Sequence, residues 1–96
     1  MGKLKDLWNT YRKAASAQRE LTNAFARATG VNFMHLDTAF TRCAIKRAME
    51  TNDIDATVRE YAPLIESVKI FSGSIVTPEF NRRLLALLQR HQSPAM

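Results

Sequence analysis

The residues best suited to bond-making chemistry in this chain are one cysteine, Cys43, and two histidines, His35 and His91. A thiol or hydroxyl nucleophile needs a base within hydrogen-bond reach, and that base needs an orienting partner. His35 stands two residues before Asp37, an offset that turns two side chains apart on a helix. His91 falls near the end of the last predicted helix, where an imidazole also meets the negative end of the helix dipole. A single cysteine permits no intramolecular disulfide, and with two histidines it falls short of a closed zinc set. No nucleophile elbow, dinucleotide fingerprint, phosphate-cradling loop or acid-rich cluster occurs, and Ser72-Gly73-Ser74 is too short to hold a phosphate. The expectation is a protein without catalytic residues, metal or cofactor, in which Cys43 fills core space and both histidines are structural.

Charge says more. The chain carries 14 Lys+Arg against 9 Asp+Glu, a net charge of +5. Lys5, Arg12 and Arg19 recur at heptad spacing and drift by roughly 20° per step on an ideal helix, with Arg27 on the same broad side. Arg42, Lys46 and Arg47 form a second basic group. Arg82, Arg83 and Arg90 form a third, with Arg83 and Arg90 on one flank. Such stripes either edge a solvated helix with long aliphatic stems or meet phosphates or an acidic protein patch. The lone tryptophan, Trp8, lies within one helical turn of Lys5 and Arg12, and arginine and tryptophan are favoured anchors at protein interfaces. The candidate partner-binding residues are therefore Trp8, Arg12, Arg19, Arg27, Arg83 and Arg90.

Helices must position these groups. Leu4, Leu7, Trp8, Tyr11, Ala14, Ala15, Leu21, Phe25 and Ala28 step by three and four with no proline or glycine before Gly30. This predicts one long amphipathic helix over about 3–29 with a glycine stop. Asn32 or Asp37 can cap a second helix over about 36–50, with Leu36, Phe40, Cys43, Ala44 and Ala48 facing inward. Asp53 or Asp55 can start a short helix over 54–62 through Ile54, Val58 and Tyr61, which Pro63 ends or bends. Leu64, Ile65, Val68 and Phe71 space as a further helix over 63–72, and Ile75 and Val76 are expected to plug a core edge. Thr77-Pro78-Glu79 reads as a helix start, and the segment 78–91 buries Phe80, Leu84, Leu87 and Leu88. No stretch alternates with the period of a strand. The predicted fold is all-α: a small single-domain bundle of four or five helices.

Ala26, Gly30 and Val31, within Phe25-Ala26-Arg27-Ala28-Thr29-Gly30-Val31, resemble the turn of a helix-turn-helix motif. The resemblance covers about a quarter of the chain, and it implies a recognition helix carrying Asn32, His35, Thr38, Thr41 and Arg42 toward bases. Four residues depart from the pattern: Thr29 replaces an apolar residue, Phe33 and Met34 would be exposed, and Asp37 would face phosphates. Tyr11-Arg12 with Phe25 downstream is similar to the mitochondrial LYR proteins, but Thr10 stands where that family has leucine.

At 96 residues, 46% of them hydrophobic, the chain suits one domain with its own core. It holds no apolar run long enough to cross a membrane, and its basic start is followed by no apolar signal region. Gly2 with Asp6 fails the myristoylation pattern. These features lead to the expectation of a cytoplasmic, non-enzymatic interaction protein that does not associate with membranes. It would dock on and modulate a larger protein, foremost a nucleic-acid-processing enzyme, in the manner of phage or plasmid modulators of a host recombination nuclease. Direct DNA binding through the Gly30 turn is the alternative reading, and a structural homo-oligomer is a third. Pro63 and Pro78 are expected to serve helix geometry rather than a prolyl isomerase.

Overall fold

In the computed structural model, the backbone is described for residues 2–92 and side chains for residues 9 and 11–92. Four α-helices follow in order: α1 (Gly2–Thr29), α2 (Thr38–Thr51), α3 (Ile54–Ser72) and α4 (Pro78–Gln92), with a 3-10 turn at Phe33–His35 before α2. No strand occurs among the described residues, and the molecule is a small all-α bundle.

Local chemistry sets most of the helix ends. Gly30, at φ 73°, takes the left-handed conformation past α1 and donates its N–H to the Ala26 carbonyl at 2.9 Å. The Lys69 ammonium donates to the Thr29 carbonyl, so a cation from α3 meets the negative end of α1. Both expected caps are used, for different elements. Asn32 accepts from the Met34 N–H at 2.9 Å to start the 3-10 turn, and Asp37 accepts from the Ala39 N–H at 2.8 Å to start α2. Asp53 caps α3 through the Ala56 N–H at 3.0 Å, and Thr77 caps α4 through the Phe80 N–H at 3.1 Å.

Pro63 does not end its helix, one of the two outcomes expected of it. The segments predicted as 54–62 and 63–72 form one helix, α3, with Pro63 inside it. Proline costs roughly 3 kcal/mol in a helix interior. Here its ring is exposed, whereas Thr57, Tyr61, Ile65 and Val68 form an unbroken buried stripe that spans it. Burying those side chains outweighs one missing backbone hydrogen bond.

Phenylalanine dominates the core. Phe25, Phe33, Phe40 and Phe80 are the largest fully buried side chains. Phe25 stacks on Phe33 at 5.4 Å between centroids, tilts against Phe40 at 6.3 Å, and Phe40 meets Tyr61 edge-on at 5.6 Å. Cys43 is half-buried and packs against this core.

Among the described side chains of α1, Asn9, Tyr11, Arg12 and Lys13 are exposed, Ala14 is half-buried, and Ala17, Leu21 and Phe25 are in the core. A 28-residue helix is about 42 Å long. The radius of gyration of 14.3 Å exceeds the roughly 12.5 Å expected for a globule of this length, and the molecule is elongated, 50 × 34 × 23 Å.

Two outcomes test this account by denaturant unfolding. Phe40→Ala is expected to destabilise by about 3–5 kcal/mol, the range for emptying a buried aromatic site. Pro63→Ala is expected to stabilise by about 1–3 kcal/mol, since alanine restores the missing donor at an exposed position; an unchanged midpoint would mean that the helix is not continuous there.

Candidate functional site

The densest group of titratable side chains lies where α2, α3 and α4 meet. The Glu60 carboxylate of α3 accepts from Arg47 Nε of α2 at 3.0 Å and pairs with His91 Nε2 of α4 at 3.1 Å. Tyr61 meets the His91 ring edge-on at 5.6 Å, and Gln92 Nε2 donates to Cys43 Sγ at 3.1 Å. Cys43, Lys46 and Glu50 complete the walls of a shallow cavity of about 390 Å³ above these contacts. Burial pushes the Glu60 carboxyl up, but hydrogen bonds from His91 and Arg47, with the Arg47 charge, outweigh it and hold it below the ordinary 4.5. Burial and then the neighbouring Glu60 charge push the Tyr61 phenol above its ordinary 10.0.

This arrangement is a clamp. Its histidine points a nitrogen at a carboxylate, and no hydrogen bond joins His91 to Cys43 among the described residues, so thiol and base are not coupled. No group of three or more His, Cys, Asp or Glu among the described residues is placed to hold a metal ion. Glu60 fastens the last turn of α4 and the middle of α2 to α3.

The predicted partner-binding arginines are exposed and fall into two sets. Arg12, Arg19 and Arg27 lie along α1, while Arg83 and Arg90 lie on α4. Helix α1 packs on α2 and α3, and α4 packs on α3 and α2, so the two sets belong to different parts of the bundle. Arg27 shares a groove with Asp53 and Asp55 at the start of α3, which dilutes its field. The side chains of Trp8 and Lys5 lie outside the described residues.

The residues of the implied recognition helix do not share a helix. Asn32 caps the 3-10 turn, His35 ends it, and Thr38, Thr41 and Arg42 belong to α2. Phe33, which that reading would expose, is in the core. Asn81 of α4 accepts from the Asp37 N–H at 2.9 Å and donates to the His35 carbonyl at 3.4 Å, pinning this turn to α4.

The α3–α4 corner holds a surface that the sequence pattern misplaced. Phe71, placed on the apolar spacing of its helix, and Ile75, expected to plug a core edge, are 74% and 76% exposed, and Ile70, next to Phe71 in the chain, is 80% exposed. The buried stripe of α3 ends at Val68, and the last turn overhangs the body before Gly73, at φ 76°, turns the chain away. The Arg83 guanidinium sits 5.6 Å from the centre of the Phe71 ring. Glu79 holds that guanidinium at 3.0 Å and that of Arg82 at 2.8 Å, so one carboxylate serves two cations. An exposed aromatic ring under an arginine, in a segment that also exposes Ile70 and Ile75, has the residue types of an interface hot spot.

The Glu60 clamp has a defined acid response. Its carboxyl titrates below the unfolded value, so its stabilisation is fully present above pH 4.5 and is lost as pH falls through the folded-state value. Urea midpoints followed from neutral pH to below pH 4 are expected to fall less steeply for Glu60→Gln than for the unaltered chain. An identical slope in both would show that the clamp contributes nothing.

The chain matches no protein-family model, no curated protein sequence and no solved structure.

Proposed function

We propose that this protein is a non-enzymatic docking module of the cytoplasm that binds and modulates a larger protein, foremost a nucleic-acid-processing enzyme. The observation that carries the reading is the α3–α4 corner, where Phe71 stands in solvent under Arg83, and Ile70 and Ile75 in the same segment are exposed, although the same small chain buries four other phenylalanines. Exposed apolar clusters of this kind mark contact sites, and the solvation cost is recovered when a partner covers them. The net charge of +5 suits a partner with an acidic surface or one that itself works on nucleic acid, and steers encounter with it. The titratable cluster adds support, because its histidine, carboxylate and arginine are spent on joining helices.

Phe71→Asp and Ile75→Asp are expected to abolish capture of a stoichiometric protein partner from native host lysate, with and without nuclease treatment. Both are expected to leave the thermal midpoint within about 3 °C, because exposed positions contribute little to stability. Capture that disappears with nuclease, or that survives both substitutions, would sink the reading. So would substrate turnover by the purified protein that is lost in Cys43→Ala or His91→Ala.

A further inference from the structure

A second surface lies between α1 and α2. A groove of about 510 Å³ runs between them, lined by Ala14 of α1 and by Arg42, Ile45, Lys46, Met49 and Glu50 of α2. Its floor is apolar. Ile45 and Met49 are neighbours at i, i+4 spacing on α2, and Ala14 opposite them is small enough to leave depth between the helices. Tyr11, three residues earlier on α1, is 65% exposed.

The rim decides what fits. Along α2, Arg42 and Lys46 stand on one wall at i, i+4 spacing. Glu50 is the one acid of the groove, and it pairs with Lys46 at 3.9 Å, leaving Arg42 without an ion pair among the described residues. A second copy of this chain would bring its own net charge of +5 to a cationic rim. A phosphate backbone would have to lose water over an apolar floor that offers it no donor. A helix with leucine-like anchors on one face and carboxylates beside them meets both features: the anchors fill the floor, and the carboxylates face Arg42 and Lys46.

We infer that the groove between α1 and α2 is a docking site for an acidic amphipathic helix of a partner protein. The occupant lies along the two helices as a third helix, inserting side chains at i, i+3, i+4 and i+7 spacing between Ala14, Ile45 and Met49. The inference rests on the docking reading above but on different residues, so the two can fail separately. It gives the module two contacts with its partner, one at the α3–α4 corner and one at the α1–α2 pair, and linked engagement of both raises the overall affinity.

The test uses the full chain and a synthetic peptide of about 18 residues with leucines at helical spacing and glutamates between them, long enough to fold on docking. Controls are the same residues in scrambled order and a version with lysines replacing the glutamates. Titration followed by nuclear magnetic resonance is expected to shift the signals of Ala14, Ile45 and Met49 saturably with the acidic peptide and not with the scrambled one. Arg42→Glu, an exposed change, is expected to weaken binding by at least about tenfold, and Arg42→Glu with Lys46→Glu is expected to favour the lysine version. Phe71→Asp is expected to leave peptide binding unchanged, which separates this site from the corner. Equal binding of the scrambled peptide, shifts centred elsewhere, or indifference to Arg42→Glu would overturn the inference. Shifts at Ile45 and Met49 caused by raising the protein concentration alone, or by a DNA duplex, would overturn it too, assigning the groove to a second copy or to nucleic acid.

Discussion

The rest of the structure depends on a run of rings that crosses every helix. Phe33 of the 3-10 turn stacks on Phe25 of α1, Phe25 leans on Phe40 of α2, Phe40 meets the edge of Tyr61 of α3, and Tyr61 meets the His91 ring of α4. Each link joins a different element to the next, so burying the run fixes all of them relative to one another. Offset and edge-on pairs add about 0.5–1.5 kcal/mol apiece to the burial itself, and their geometry restricts how the helices can turn. The run starts in full burial and finishes at a half-wet histidine, where the apolar contact gives way to the Glu60 clamp.

That transition explains why the titratable cluster is where it is. The phenol ring of Tyr61 is part of the core, and the residue before it, Glu60, emerges at the surface between α2 and α4. Arg47 and His91 reach it from either side. Partly exposed ion pairs contribute at most about 1 kcal/mol, so the clamp orients the last turn of α4 more than it holds the bundle together. With its carboxylate and imidazole engaged on each other, the cluster has a geometry that suits fastening.

The surfaces proposed for binding lie where this core runs out. Helix α3 buries its stripe as far as Val68, and its final turn carries Ile70 and Phe71 past the body. Between α1 and α2, Ala14 faces Ile45 and Met49 across a shallow apolar floor. The corner results from a helix longer than the stripe it buries. Continuous backbone hydrogen bonding carries α3 onward after tertiary packing has stopped, which leaves its apolar side chains on a preformed scaffold where a partner can cover them at little cost in ordering.

Much of the fold was legible in the sequence because it is written in short-range chemistry. The three-and-four spacing of apolar residues gave α1, Gly30 its end, and Asp37, Asp53 and Thr77 the starts of the helices that follow, since a cap and a stripe act within a turn or two of chain. Cys43 and the exposed arginines were legible too. The continuity of α3 was not, because proline's local preference is visible in the sequence while the buried stripe that overrides it forms only against other helices. Phe71 fits a helical pattern equally well inside or outside, and only the point at which α3 leaves the body put it in solvent; Ile75, in the loop that follows, was left outside the core edge it was expected to fill. Likewise His91 and Glu60 are 31 residues apart in the chain. Spacing along one helix says nothing about a pair that exists because two helices pack side by side, so the clamp, the corner and the groove were decided by tertiary structure alone.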